Sequence, residues 1–260
     1  MRVLITGGSR GIGSAVARSV ARRYPGSKIT LMSRSFSEPR HSALQGTLLE
    51  TARDVEKLGS VALPIEVDMR DTHTLSEAIQ KSISAFGGLD ILVNNASALC
   101  MDATPKARKI ALVTDVNVRG TLVATMACEN ALRESNGSVV TVSPPIDMRR
   151  CDWIADRIPY TVSKYSMTLA TLGMAARGIR SNCIWPRHTV RTAATALIER
   201  SGVPGAHSLG RDPDEFAEAL VQLAESDRTG ETLFDDELGL DMRHCDAPLD
   251  LYTPSFPYPH

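Results

Sequence analysis

The chain has 260 residues, of which 43% are hydrophobic and 23% charged, and its formal net charge is −1. This length and composition can bury one substantial core, so we expect a single domain spanning residues 1–260. Because the charged residues are dispersed and nearly balanced, nothing in the composition indicates attraction to nucleic acid or to an anionic membrane.

The cysteines and the start of the chain bear on its compartment. The five cysteines form no CxxC pair, which favours reduced thiols over disulfides or a zinc site. The histidines show no metal-binding spacing such as HExxH. The first predicted strand begins at Arg2, which leaves no room for a signal peptide, and no apolar stretch approaches a membrane span. We expect a soluble intracellular, most simply cytoplasmic, protein without a metal site.

Strand and helix patterns alternate along the chain. Short runs of Val, Ile and Leu predict buried parallel strands, and segments such as THTLSEAIQKSISAF carry apolar residues at helical spacing. This alternation predicts an α/β fold, a Rossmann-type doubly wound parallel sheet of about seven strands flanked by helices. Residues 240–260, rich in Pro and aromatics, are predicted to be irregular. The predicted strands are residues 2–6, 28–32, 61–67, 89–94, 138–143, 179–185 and 231–234.

The first strand runs directly into TGGSRGIG, and the helical pattern AVARSVARR follows. Glycines there permit a sharp turn and a close approach of backbone to a pyrophosphate, and the free amides of the helix start favour an anion. The alternative is a purely structural glycine turn, which fits this context less well. The cofactor-binding residues predicted in this loop are Gly7, Ser9, Arg10, Gly11, Ile12 and Gly13.

The end of the second strand bears on the choice of cofactor. Dinucleotide folds that prefer NAD usually carry an acid there, which binds the ribose 2′-hydroxyl. Here Ser33 and Arg34 occupy the place, no acid follows until Glu38, and Arg10 lies in the glycine loop. Because cations favour a 2′-phosphate, we predict NADP(H), with NAD(H) as the alternative. The competing interpretation is that both arginines are solvated surface charges.

Seven motifs follow one another along the chain: TGGSRGIG, VDM, NNAS, VNVRG, a serine ending the fifth strand, YTVSK and NCIWP. In this order the chain resembles the classical short-chain dehydrogenase/reductase family over essentially its whole length. NNASA, SPPI and WPRHTVRTAA resemble the hydroxysteroid dehydrogenase-like protein 2 branch of that family, here without a sterol-carrier-like domain. The resemblance implies an NAD(P)-dependent oxidoreductase that interconverts a carbonyl and an alcohol.

Tyr160 and Lys164 are four residues apart on a predicted helix, so their side chains share one face. A lysine cation about 5 Å from a phenol lowers the phenol pKa by roughly two units at an effective dielectric near 20. By the resemblance, Tyr160 exchanges a proton with the substrate oxygen, and Lys164 also holds the ribose hydroxyls. Taken alone, the pair fits an exposed pair on an ordinary helix equally well.

Other roles also come from the resemblance. Asn117 matches an asparagine that kinks a long helix and anchors a water of the proton relay. Ser143 matches the first of two serines, of which the second polarises the substrate carbonyl; Pro144 stands at that second place and cannot donate. Either Ser143 acts from a shifted backbone or another group does, and Arg187 likewise replaces a glycine near the nicotinamide. The further cofactor positions implied are Asp68 (alternatively a helix N-cap), Met69, Asn94, Ala96 and Pro186, with Asn95 among the residues tying neighbouring strands.

The Pro144 departure keeps a second hypothesis open, a dinucleotide-binding sensor or interaction protein with little or no turnover. Segments 105–118 and 121–132 match helices that relatives pair into a four-helix contact, which predicts a homodimer or homotetramer. Substrate specificity is expected in residues 146–158, in the loops of residues 189–207 and in the tail. Apolar residues there, which indicate either an apolar substrate pocket or only the packing of a lid, are Met148, Trp153, Ile154, Ala193, Leu197 and Ile198.

Overall fold

A computed structural model describes residues 1–40, 42–100, 102, 104–143, 158–200, 202 and 204–238. At its centre lies a sheet of seven parallel strands in the order β3-β2-β1-β4-β5-β6-β7. The chain therefore winds outward in both directions from β1 and β4, as predicted for a Rossmann-type sheet. The strands are β1 Arg2–Thr6, β2 Lys28–Ser33, β3 Val61–Glu66, β4 Ile91–Asn94, β5 Ser138–Val142, β6 Arg180–Trp185 and β7 Thr232–Phe234.

Helices cover the sheet on both faces. Each of the six connections between successive strands carries at least one helix. The last connection includes a short helix in part of the segment that the sequence predicts as loops, residues 189–207. The helices are α1 Gly11–Arg23, α2 Leu48–Lys57, α3 Thr72–Phe86, α4 Ala107–Val113, α5 Thr121–Glu134, α6 Ile158–Ala176, α7 Ala193–Arg200 and α8 Pro213–Glu225, with a π-helical segment at Thr114–Gly120 and a 3₁₀ turn at Asp235–Leu238.

Two apolar cores lie on opposite faces of the sheet. Successive β1 residues point to opposite sides, so Leu4 packs into one core and Ile5 into the other, and both are fully buried. The Ile5 core includes Val16 of α1 and Phe216 of α8, whereas the Leu4 core includes Leu75 of α3. Burial on both faces explains the unbroken apolar runs of the strands.

The start of α3 corrects one alternative drawn from the sequence. The N-cap of this helix is Asp71, whose carboxylate accepts a hydrogen bond from Thr74 N at 3.1 Å. Asp68 lies three residues earlier, in the connection between β3 and α3, and its carboxylate pairs with Arg70. The N-cap interpretation of Asp68 is therefore wrong, because the chain turns once more before the helix begins.

Helices α4 and α5 form one continuous helix, Ala107–Glu134, through the π-helical segment. Among the described residues, this helix alone has the length and apolar composition of a membrane span, so the expectation that no stretch approaches one is wrong. Its buried side includes polar groups bonded within the protein, such as Asn117 and Thr125. The helix packs as a core-facing layer of the α/β fold.

Several sequence predictions fall outside the described residues. These are the predictions on Pro144, Met148, Trp153 and Ile154 and on the tail of residues 240–260. Of the cysteines, Cys100, Cys128 and Cys183 are described, and all three are buried and unbridged.

Candidate functional site

The glycine loop lies at the carboxyl end of β1, beside the end of β2. The amides of Gly7 and Gly8 both donate to the Met32 carbonyl, at 2.7 and 3.1 Å. Gly7 adopts a φ of +71°, and a Cβ added at Gly13 would lie 2.3 Å from the Gly7 carbonyl oxygen. Side chains are therefore excluded from both positions. Their absence lets the loop pack closely against both β1 and α1.

Helix α1 begins without a side-chain cap. Arg10, its N-cap, has extended backbone and makes no capping hydrogen bond, whereas α2, α3 and α8 are capped by Thr47, Asp71 and Asp212. Ile12, in the first turn, packs against the apolar core beneath. The amides of this turn therefore point at the loop, where an anion would satisfy them. The cradle fits a pyrophosphate.

Two arginines stand beside this cradle at the end of β2. Arg10 Nη1 donates to the Leu44 carbonyl at 2.8 Å, and Ser9 Oγ lies 3.0 Å from Ser33 Oγ. Burial and the nearby charge of Arg34 both lower the pKa of Arg10. Two positive charges beside the end of β2 favour an anion there.

Asp68 and Met69 follow β3 on the same side of the crevice. Asp68 Oδ2 lies 2.6 Å from Arg70 Nη2 and 3.8 Å from Arg34 Nη1. Partial burial of Asp68 opposes ionisation, but the hydrogen bonds from Arg70 and the charge of Arg34 outweigh it and lower the pKa of Asp68. Met69 is buried, and a Cβ added at Gly120 would lie 2.7 Å from the Met69 carbonyl oxygen. This tight contact fixes the end of the β3 segment against the long helix.

The end of β4 is fastened to the glycine loop. Asn95 Nδ2 donates to the carbonyls of Thr6 and Gly7 at 3.0 and 3.1 Å, and the amides of Asn95 and Ala96 donate to Thr6 Oγ1. Asn94 is fully buried and donates to two threonine hydroxyls at 2.9 and 3.3 Å. The NNA motif thus ties β4 to β1 at the point where the sheet order reverses.

Asn117 lies fully buried in the π-helical segment. Its amide group accepts from Ala98 N at 2.7 Å and donates to the Ala98 carbonyl at 3.0 Å. It also donates to Ser163 Oγ at 2.9 Å, and that hydroxyl donates to the Tyr160 carbonyl at 2.7 Å. A π turn shifts the helix register locally, and here it directs Asn117 at the first turn of α6.

Tyr160 and Lys164 lie on one face of α6. Tyr160 is half-buried, whereas Lys164 is 2% exposed and its Nζ donates to the Val142 carbonyl at 2.7 Å, at the end of β5. The Lys164 Nζ also lies 6.0 Å from the centre of the Trp185 ring. Burial lowers the pKa of Lys164 to about 7. Burial therefore disfavours its ammonium form relative to that of an exposed lysine.

Ser143 lies behind this pair rather than beside it. Its side chain is fully buried, and Oγ donates to the Lys164 carbonyl at 2.6 Å and lies 2.8 Å from Thr168 Oγ1. The hydroxyl is thus directed at the backbone of α6, in the interface between helix and sheet. Ser143 therefore contacts the main chain of Lys164, and its hydroxyl has no exposed surface.

The segment after β6 closes over the glycine loop. A Cβ added at Gly11 would lie 3.3 Å from Thr192 Cγ2. Beyond it, Glu199 accepts from the amides of His207 and Ser208 at 2.7 and 2.8 Å and from Ser208 Oγ, and these hydrogen bonds lower the pKa of Glu199 to about 2. The described part of this segment therefore contacts the glycine loop and carries helix α7, although the sequence predicts loops there.

A family model described as short chain dehydrogenase matches residues 1–201. The chain belongs to the short-chain dehydrogenase/reductase family. Members of this family are NAD(P)-dependent oxidoreductases that act on CH–OH groups. The glycine loop, the NNA motif, Asn117 and the Tyr160–Lys164 pair all lie within the matched residues and line the crevice at the carboxyl ends of the strands.

Two kinds of relatives place the chain within the family. Hydroxysteroid dehydrogenase-like protein 2 of Homo sapiens is 36% identical over 244 residues, 91% of this chain and 56% of that protein. A short-chain dehydrogenase structure from Mycobacterium thermoresistibile is 36% identical, with a TM-score of 0.81 over 91% of this chain and 85% of that one. Another, from Mycobacterium paratuberculosis and bound to NAD, is 25% identical, with a TM-score of 0.72 over 90% and 95%.

These relatives confirm the resemblance to the hydroxysteroid dehydrogenase-like protein 2 branch. The chain spans about half the length of the curated relatives it matches.

Sequence reasoning missed residues that act through position rather than through a motif. Thr6 Oγ1 collects two amides of the NNA motif, and Ser163 connects Asn117 with the Tyr160 carbonyl. Ser163 stands inside YTVSK, so its place one turn after Tyr160 was a usable signal. Thr192 gave none, because its contact with Gly11 joins residues far apart in the chain.

Proposed function

We propose that this chain is a soluble, intracellular NADP(H)-dependent oxidoreductase that interconverts a carbonyl and an alcohol, with Tyr160 as the acid and base. The observation that carries the proposal is the buried Lys164 ammonium site at the end of β5, on the same helical face as Tyr160. When bound, the nicotinamide supplies or accepts the hydride. On α7, Ala193 and Leu197 are partly exposed and are therefore available to line an apolar pocket, whereas Ile198 is buried.

The proton step belongs to α6. In reduction, the Tyr160 phenol donates its proton to the substrate oxygen as negative charge develops there; in oxidation, the phenolate accepts it. Lys164 in its ammonium form stabilises that phenolate through its positive charge. Asn117 orients the first turn of α6 through Ser163 and so positions Tyr160.

The remaining predicted residues would hold the cofactor. The amides of the glycine loop would hold the pyrophosphate. Asp68, Met69 and Ala96 would border the adenosine half of the cofactor, and Pro186 would border the nicotinamide half. Arg10 and Arg34 would hold a 2′-phosphate, because Arg34 directly follows β2 and the Arg10 guanidinium reaches Ser35 Oγ at 3.4 Å beside it. The related structure from Mycobacterium paratuberculosis is bound to NAD, so NAD(H) is the alternative outcome of the test below.

We expect NADPH to bind at least about tenfold more tightly than NADH, which corresponds to about 1.4 kcal/mol. Arg34→Ala should erase most of this difference, since it removes one of the two cations at the 2′-phosphate. Fluorescence titration with both nucleotides measures it. Arg53→Ala, at an exposed position of α2, is the matched control and should preserve the preference. Equal affinities of the unmodified protein for NADPH and NADH would contradict the assignment.

We also propose that the protein is a homo-oligomer. The outer faces of α5 and α6 expose large apolar side chains, including Met126 at 58% and Leu169 at 62%. Such a surface is costly in water, so a second copy of the chain would cover it. Met126→Glu and Leu169→Glu should each shift the mass measured by light scattering at micromolar concentration towards the monomer. Lys81→Glu, on the exposed side of α3, should not; a monomeric unmodified protein would refute the proposal.

A second candidate function is a dinucleotide-binding sensor with little turnover. The buried Ser143 hydroxyl favours it, because that group has no surface from which to polarise a carbonyl. Steady-state hydride transfer with a panel of ketones and alcohols separates the two functions.

A further inference from the structure

Arg187, the residue that replaces the family's glycine after Pro186, is held by an acidic turn at the end of β7. Its amide donates to Asp235 Oδ1 at 3.0 Å. Its guanidinium pairs with Asp236 and, at 3.6 Å, with Glu237, and it lies 4.0 Å from the centre of the Phe234 ring. A flexible arginine side chain is thus fixed on three sides.

A second arginine, Arg211, fastens the loop of residues 187–192 at its other end. Arg211, whose side chain is 3% exposed, pairs with Asp235, which is fully buried. The main chain of Arg211 donates to the Thr189 carbonyl at 3.0 Å and accepts from Arg191 N at 2.9 Å. Burying such a pair costs desolvation, so its contribution is better assigned to fixing one geometry than to raising stability. Asp235 therefore connects both ends of the loop.

The loop of residues 187–192 crosses the crevice. It leaves the carboxyl end of β6, on the half of the sheet formed by β4, β5 and β6, and it reaches the glycine loop at the contact between Thr192 and Gly11. In a doubly wound sheet the two halves take the two halves of a dinucleotide, with β1 to β3 on the adenosine side. The loop thus borders the nicotinamide half.

We propose that the acidic turn positions this loop for the nicotinamide half of the cofactor. Arg187, Asp235 and Arg211 are its positioning residues: they touch neither reacting atom but set the wall that the nicotinamide ring meets. The inference rests on the proposed cofactor binding. Arg187 stands where most relatives have a glycine, and an arginine side chain that nothing held would occupy the crevice. The turn after β7 holds this side chain and so keeps the crevice open.

Binding of two nucleotides separates this role from a merely structural one. NADPH carries the nicotinamide, and 2′-phospho-ADP-ribose lacks it but keeps the adenosine half. We expect Arg187→Gln and Asp236→Asn each to lower the affinity for NADPH about tenfold and the affinity for 2′-phospho-ADP-ribose less than about twofold. A loosened loop must be ordered again on binding only by a ligand that contacts it, and only NADPH carries the nicotinamide. The double variant should be no weaker than either single one, since both break one contact.

Isothermal titration of these variants gives every affinity without an assay of turnover. Arg228→Gln is the matched control, because Arg228 forms an exposed pair with Glu231 before β7 and should change neither affinity. Asp235→Asn removes the carboxylate that pairs with the buried Arg211, and it is used only if thermal melting shows the variant folded. Equal weakening of both nucleotides, or no weakening of NADPH, overturns the inference. If the unmodified protein binds neither nucleotide, the proposed cofactor fails first and the inference with it.

Discussion

Tyr160→Phe should lower turnover by about two to four orders of magnitude while the affinity for NADPH changes less than about twofold. The lost hydroxyl acts on the substrate oxygen only as the proton moves, so the transition state loses a contact that the bound nucleotide never makes. Turnover is measured with any carbonyl that the panel identifies, and affinity by fluorescence titration. Removal of the Tyr160 hydroxyl oxygen would then lower turnover without lowering the affinity for NADPH.

Tyr165→Phe is the matched control, since it removes the same hydroxyl one turn further along α6, at a buried position. We expect its turnover to stay within about threefold of the unmodified protein. Ser143→Ala should lower turnover less than about tenfold, because the hydroxyl bonds to the Lys164 carbonyl instead of facing the crevice. A Tyr160→Phe variant as active as Tyr165→Phe would remove Tyr160 from the proton step. An unmodified protein that binds NADPH but turns over no carbonyl or alcohol of the panel would favour the sensor.

The fold was predictable because its signals are local. Apolar runs such as VLIT mark strands buried on both faces, and the helical spacing between them sets the alternation from which a parallel sheet follows. Strand ends shifted by one or two residues, as at Ile91, because the turn hydrogen bonds of the preceding residues decide where pairing begins. The cap at Asp71 rather than Asp68 has the same origin.

The site was predictable only where one motif carries a whole function. The glycine loop could be predicted because the glycines in its sequence indicate its geometry directly: Gly7 has a positive φ, and there is no space for a side chain at Gly13. The direction of the Ser143 hydroxyl was not predictable, since it depends on a carbonyl 21 residues away on α6. The pairing of Arg187 with the turn at Asp235 joins residues 48 apart, and no local pattern announces it.

Lys164→Met should abolish most turnover, by at least about 100-fold, and yet make the folded protein more stable at pH 6, by about 1–3 kcal/mol. Burial lowers the pKa of Lys164 from 10.5 to about 7, so below pH 7 the folded chain keeps a buried charge and its stability carries the full cost.

The dependence on pH identifies the cause. Between pH 7 and about 10.5 the folded chain has released the Lys164 proton while the unfolded chain still binds it, so the stability of the unmodified protein rises with pH relative to Lys164→Met. The gap between the two should therefore narrow across this window and be constant below it, as measured by urea unfolding at a series of pH values. Lys57→Met, at a position 77% exposed, should show no such trend. A gap that is the same at pH 6 and pH 10 would mean that Lys164 is charged in the folded chain throughout, and its help to Tyr160 would then not fade above neutral pH.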